Sequence, residues 1–300
     1  MRIFLQSIVA LLLIFSATNP SSAQLTKNDI YLLTMQNDSG KFKFGEPVKV
    51  NERSCYNNQP RFDNYVDLLY YTSQPDSTQT EIYLYNIGAK RNFQATRTPE
   101  SEYSPFPLKD NKYIGCVRVD ADSSQYLYTY ARNGNFPKKL ITDVDSVGYF
   151  CAVDKSNFVL FVLGKKNRLI LYNLDSAKVL DTIAVDPGRC IQNIPAHLTQ
   201  FSYTQKTSDS TFTIMMYDCA TKQSSEICKS LVNSQDYAWT NDQKIFSGKN
   251  GKLYMFDTKA KQNGWQLIGD FSKSIGNFYR IAVSPKSKYI AVVTYKGKLP

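Results

Sequence analysis

The chain is nearly without histidine. Its 300 residues hold one, His197, so an imidazole base or metal ligand has a single candidate, and a general base also needs a partner within hydrogen-bond reach to position it. His197 lies in Pro195-Ala196-His197-Leu198-Thr199, which reads as an exposed turn, and no catalytic role is expected of it. None of the six cysteines forms a C-x-x-C pair, which removes the usual spacing of a structural zinc site. No G-x-S-x-G elbow occurs, which argues against a serine hydrolase of that type. Beyond the first 23 residues no apolar run approaches the roughly 20 residues of a spanning helix, and helical periodicity is scarce.

The opening residues are the exception. Met1-Arg2 precedes an apolar run from Ile8 to Phe15, followed by small and polar residues that end in Ser21-Ser22-Ala23. A basic start, a short apolar core and a small-residue site read as a secretory signal over residues 1–23, with cleavage expected before Gln24. No cysteine stands at that site to carry a lipid. The expected product is a soluble chain of about 277 residues in the periplasm or outside the cell.

Lysine and arginine outnumber the acids 36 to 26, a formal charge of +10. The basic residues are dispersed, with pairs such as Lys138-Lys139 and Lys165-Lys166 in expected turns, which reads as a solvated surface. Nucleic acid is not an expected partner of an exported chain.

What is abundant is tyrosine (21) and phenylalanine (17) in short alternating runs, which is strand composition. One unit, a strand, a turn and a second apolar strand, recurs around Asp63-Asn64, Asp110-Asn111, Lys155-Ser156, His197-Leu198, Asn241-Asp242 and Lys286-Ser287. The copies are spaced by roughly 42 to 47 residues, the length of a four-stranded propeller blade. A second unit alternates with it: Ile30-Tyr31-Leu32-Leu33, Ile82-Tyr83-Leu84-Tyr85-Asn86, Tyr126-Leu127-Tyr128, Leu169-Ile170-Leu171-Tyr172-Asn173, Ile214-Met215-Met216-Tyr217-Asp218 and Leu253-Tyr254-Met255-Phe256-Asp257. These read as third strands. The chain begins on a third strand and ends on a first and second, so the pattern predicts one all-β domain over residues 24–300. That domain is a six-bladed β-propeller of four-stranded antiparallel blades, closed by pairing the segment around Leu32 with that around Val292.

At these repeats the sequence resembles the TolB-type, WD-repeat-like propellers of bacterial envelopes, over essentially all of residues 24–300. The stretches that carry the likeness are Tyr56-Asn57-Asn58-Gln59-Pro60-Arg61-Phe62, Ser101-Glu102-Tyr103-Ser104-Pro105, Asp236-Tyr237-Ala238-Trp239-Thr240 and Arg280-Ile281-Ala282-Val283-Ser284-Pro285. The family's Pro-Asp-Gly turn is replaced by Asn- and Asp-containing turns, whose residues also tolerate the left-handed conformation. The resemblance implies a six-bladed platform that binds a protein or ligand. It names no partner, because one scaffold hosts many functions.

First strands line the axis of a propeller, so residues just before their turns are expected to converge on one channel mouth: Asn58, Gln59, Glu102, Tyr103, Tyr149, Arg189, Gln192, Asp236, Tyr237 and Arg280. Both charge signs, amides and phenols in one concavity suit a polar ligand such as a sugar, a peptide or a carboxylate. The same residues can instead be structural, holding ordered water, with Asp236 and Arg280 paired across adjacent blades. The alternative function is a channel-site hydrolase. A lactonase-like site would hold calcium on Asn58, Glu102 and Asp236, three candidates where calcium takes six or more oxygens. A sialidase-like site would grip a carboxylate with Arg61, Arg189 and Arg280, but the repeated Asp-box turns of that family are missing. The expectation is a binding protein, with no resident metal or cofactor.

Among the cysteines, Cys55 and Cys190 occupy equivalent places in the first and fourth blades, on opposite sides of the ring, too far apart to bond. Cys219 and Cys228 flank a turn within one blade and are the expected disulfide, the rival being two buried thiols.

Overall fold

The structure, a computed structural model, describes residues 25–297 apart from 39, 77, 78, 261 and 263. The expected export signal lies outside the described residues, and no helix among them is long and apolar enough to cross a membrane.

The first strands met along the chain are β1 (Ile30–Asp38), β2 (Lys41–Phe44) and β3 (Val48–Lys49). Five complete blades follow. Blade one is β4 (Asn57–Phe62), β5 (Leu68–Ser73), β6 (Glu81–Asn86) and β7 (Arg91–Gln94). Blade two is β8 (Ser101–Pro107), β9 (Tyr113–Val119), β10 (Gln125–Ala131) and β11 (Lys138–Lys139). Blade three is β12 (Val147–Ala152), β13 (Asn157–Val162), β14 (Arg168–Asn173) and β15 (Lys178–Val185). Blade four is β16 (Pro187–Asn193), β17 (Gln200–Lys206), β18 (Phe212–Asp218) and β19 (Gln223–Lys229). Blade five is β20 (Ala238–Trp239), β21 (Lys244–Lys249), β22 (Lys252–Asp257) and β23 (Trp265–Asp270). The last strands, β24 (Phe278–Val283) and β25 (Tyr289–Thr294), join β1 and β2 in the order β2-β1-β25-β24. Leu32 faces Ala291 and Tyr31 faces Val292 in the closing ladder. The six-bladed architecture and the closure from both ends therefore stand as the repeats predict.

Sequence sets the position of each strand from axis to rim. Second and third strands are sandwiched between neighbouring blades, and Phe158, Val159, Leu160, Leu169, Ile170 and Leu171 are all buried. Fourth strands have one neighbour and face water, so β15 exposes Val179, Leu180 and Val185. The apolar core is thus a set of interblade seams. One joins Phe106, Phe150, Phe158 and Phe201 across blades two to four, and another joins Ile30, Leu69, Tyr279 and Ala291 where blade six meets blade one. Each seam needs close approach of two sheets. At Gly248 on β21 a Cβ would stand 2.6 Å from the Phe278 ring of β24, so glycine is what admits that ring.

The turns are held by Asx side chains. Asp63 Oδ1 accepts from the Tyr65 and Val66 amides, and Asp110 Oδ1 from those of Lys112 and Tyr113. The residue ending several third strands does the same for the next hairpin: Asn86 accepts from Ala89 N, Asn173 from Ser176 N, Asp218 from Ala220 N and Asp257 from Lys259 N. A short side-chain acceptor two or three residues ahead of a donor stabilises such turns without glycine.

The expected Cys219–Cys228 disulfide is corrected by the register. Cys228 lies opposite Ile214, near the far end of β18, whereas Cys219 follows Asp218 at the other end of that strand. Five strand positions at ~3.3 Å each put the two roughly 16 Å apart, well beyond the Cα separation of about 7 Å that a disulfide tolerates. The cysteines form no disulfide among the described residues.

Candidate functional site

The inner strands that face the axis are irregular, and the irregularity decides which side chains reach it. Five of the six carry a register shift, on β4 between Asn58 and Arg61, on β8 between Tyr103 and Phe106, and likewise on β12, β16 and β24. In blades one and two the bulge puts Gln59 (φ 55°) and Ser104 (φ 54°) in the left-handed region, each followed by a proline. Bulges bend a strand and re-aim its side chains. The Gln59 side chain is engaged between blades one and two, its Oε1 accepting from Thr72 Oγ1 at 2.8 Å and from the Ser104 amide at 2.9 Å.

Where the inner strands converge, at the waist of the ring, a chain of polar contacts crosses four blades. Arg189 Nη2 of blade four donates to Asp236 Oδ2 of blade five at 2.7 Å, and Arg280 Nε of blade six lies 3.4 Å from Oδ1 of the same carboxylate. Arg280 Nη1 donates to Asn58 Oδ1 of blade one at 3.0 Å, and Asn58 Nδ2 to Tyr279 Oη at 2.7 Å. Burial opposes ionisation of Asp236, yet Arg189 and Arg280 outweigh it and hold the carboxyl below its usual range. Phenols frame the pair: the Arg189 guanidinium is 5.4 Å from the Tyr279 ring centre, and that of Arg280 is 5.8 Å from both Tyr279 and Tyr149. Burial pushes the Tyr56 and Tyr279 hydroxyls up, so both keep their protons at neutral pH. One step along, Arg61 Nη1 donates to Gln192 Oε1 at 2.9 Å, and its guanidinium lies 4.1 Å from the Phe106 ring centre.

Three cavities lie along this path. The waist is small, about 90 Å³, and includes Arg61, Tyr149, Arg189, Gln192, Asp236 and Arg280 in its wall. Arg189 and Asp236 also border a cavity of about 610 Å³ with Asn233, Gln235, Asn250 and Tyr279. Arg61 and Gln192 border another of about 300 Å³ with His197, Trp239 and Pro285.

Six of the ten expected residues, Asn58, Tyr149, Arg189, Gln192, Asp236 and Arg280, thus come together, but at the waist. The larger cavity beside them opens at the mouth away from the first-strand turns, which surround the 300 Å³ cavity. Gln59 lines the waist but its amide is engaged within the blades. Tyr103 packs against an apolar seam. Tyr237 also borders the waist, but it is buried, with its hydroxyl donating to Ser202 Oγ at 2.7 Å. Glu102 leaves the axis altogether: it is buried among Thr98, Tyr130 and Glu81, and burial pushes its carboxyl up to about 8. The sequence gives no sign that Tyr279 belongs at the site, because it is the extra residue of the β24 bulge and strict alternation sets it opposite Arg280.

The calcium set does not assemble, since Glu102 is held in a seam by Tyr130, Asp236 is bound by the Arg189 and Arg280 guanidiniums, and Asn58 Oδ1 already accepts from the Gln59 amide and from Arg280. His197 stands at the other mouth, exposed, with Nε2 3.3 Å from Gln243 Nε2.

The six blades and the closing ladder define a six-bladed β-propeller, similar in fold to TolB proteins. It superposes on TolB from Acinetobacter baumannii with a TM-score of 0.59 at 11% identity, covering 92% of this chain and 66% of that one, so it spans just under two thirds of that protein. A protein described as TolB from Agrobacterium tumefaciens gives 0.66 at 10% identity, covering 91% and 99%. A puromycin-hydrolysing peptidase of Mycobacterium tuberculosis gives 0.54 at 7% identity, covering 85% of this chain and 48% of the peptidase. No protein-family model matches the chain, and no curated protein sequence does. At such identities the likeness is one of fold.

Proposed function

We propose that the chain is an exported binding propeller, periplasmic or secreted, which docks a protein segment or a small polar ligand at its channel mouth and is not an enzyme. The observation that carries this reading is the meeting of Asn58, Arg189, Asp236 and Arg280, from four blades, beside a cavity of about 610 Å³. A concavity of several hundred cubic ångströms with a few convergent polar groups is the usual form of a binding site. The signal-like opening residues and the TolB-type fold support export.

Catalysis has less to draw on. Asp236 is the one carboxylate in the waist wall, and both of its oxygens face guanidiniums, so it is poorly placed to take a proton. The hydrolase alternative rests on Arg61, Arg189 and Arg280 alone.

A thermal-shift screen of the chain from Gln24 against sugars, sialic-acid-like carboxylates, peptides and calcium tests the reading, because a ligand that binds only the folded state raises its melting temperature. A shift with a polar organic ligand or peptide, without turnover, supports it. A calcium shift lost in Asp236→Ala, or cleavage of a bound ester or glycoside, overturns it in favour of a hydrolase.

A further inference from the structure

The waist carries more positive charge than its own residues neutralise. Its wall holds three guanidiniums, Arg61, Arg189 and Arg280, and one carboxylate, Asp236. Arg189, Arg280 and Asp236 are enclosed, with side chains 18%, 12% and 8% exposed. Arg61 rests on neutral partners, the Gln192 amide and the Phe106 ring. Buried charges are ordinarily paired, because each loses its hydration. Here one carboxylate is shared by two arginines and the third has an amide.

We infer that the waist receives one oxyanion group, a carboxylate or phosphate at the end of a polar ligand whose body occupies the 610 Å³ cavity. This rests on the channel-docking reading and specifies the ligand class. A guanidinium carries five N–H donors in a planar fork that matches carboxylate and phosphate oxygens. Asp236 takes only part of the Arg189 and Arg280 forks and fixes both. Phe106, Phe150 and Ile191 wall the site, and a low-dielectric surround strengthens an ionic contact. The sizes agree as well: about 90 Å³ suits one such group, and the cavity continuing past Arg189 and Asp236 offers the amides of Asn233, Gln235 and Asn250, with Asp209 and Lys249 also in its wall, to a polar body.

The test is calorimetric titration of the chain with citrate, inorganic phosphate, N-acetylglucosamine, and a peptide supplied with either a free or an amidated C-terminus. The expected result is binding of citrate, phosphate or the free-acid peptide, with the amidated peptide and the sugar at least ten-fold weaker. Added salt weakens that binding, and Arg61→Gln weakens it at least ten-fold while Arg61→Lys retains part of it. Comparing phosphate with the two carboxylates identifies the group. Should Arg61→Gln fail to fold, the acid–amide contrast on the unsubstituted chain decides. Equal binding of the sugar or the amidated peptide, lost in Gln235→Ala, overturns the oxyanion inference and leaves channel docking standing. Silence with every probe overturns both.

Discussion

Tyr130 donates a hydrogen bond of 2.8 Å to the carboxyl of Glu102, a group wholly withdrawn from water at the seam between blades one and two. Burial raises the Glu102 carboxyl, Glu81 adds to this, and Thr98 and Tyr130 pull it back, leaving it at about 8 against an ordinary 4.5. The folded chain therefore keeps a proton that the unfolded chain releases above pH 4.5. Stability from this group is complete below that pH and falls as pH rises through about 8, by at most about 1.4 kcal/mol per unit. Urea unfolding from pH 5 to 8 should show Glu102→Gln with a flatter profile than the parent. Parallel profiles would place the proton elsewhere.

Asp236 has the opposite sign. Its carboxyl is held low in the folded state, so its contribution is present above about pH 4 and disappears as pH falls further. Replacing it with alanine leaves Arg189 and Arg280 buried without their shared partner, and a loss of about 3–5 kcal/mol is expected in denaturant unfolding. Arg189→Ala should cost less, because Arg280 still neutralises the carboxylate. A loss under about 1 kcal/mol for Asp236→Ala would mean that water already screens the site.

Leu33 and Ile290 face each other in the ladder that closes the ring, 1% and 0% exposed. Each changed to alanine should cost about 2–5 kcal/mol. In the double variant the losses should not add, with a coupling of about 0.5 kcal/mol or more. Strict additivity would show that the two ends do not share one seam.

Gly248→Ala pushes a methyl into the Phe278 ring. A cost of about 1–3 kcal/mol is expected, as for overpacked cores. The double variant Gly248→Ala with Phe278→Leu should recover part of it, read as a rise in melting temperature over the single variant.

The blade count and the closing ladder were legible in the chain because each blade repeats a local signal. Asn86, Asn173, Asp218 and Asp257 mark third-strand ends, and the apolar runs of the second strands sit between turns. The channel was legible only in part. Alternation assigns faces correctly along an unbroken strand, but the inner strands are bulged, and one inserted residue exchanges inside for outside. Tyr279, the extra residue of the β24 bulge, was accordingly passed over beside Arg280. Glu102 and Tyr237, expected at the axis, carry their polar ends into seams without a bulge, Tyr237 standing next to Asp236, whose side chain takes the axial face. The disulfide was misjudged for another reason: Cys219 and Cys228 are close in sequence, but a seven-residue strand returning along its neighbour separates its two ends by its full length.

The closing ladder also fixes an order of events. Blades one to five are each made of consecutive strands and can form from local contacts as the chain arrives. Blade six cannot, since β1 has only β2 and β3 as partners until β25 has emerged. Contacts of such long sequence separation form slowly, while their entropic cost grows only with the logarithm of the loop. Strand β25 thus acts as the latch of the ring, and the time the open edge of β1 spends waiting for it is the interval in which a chaperone, or a second copy of the chain, has its best opportunity to bind.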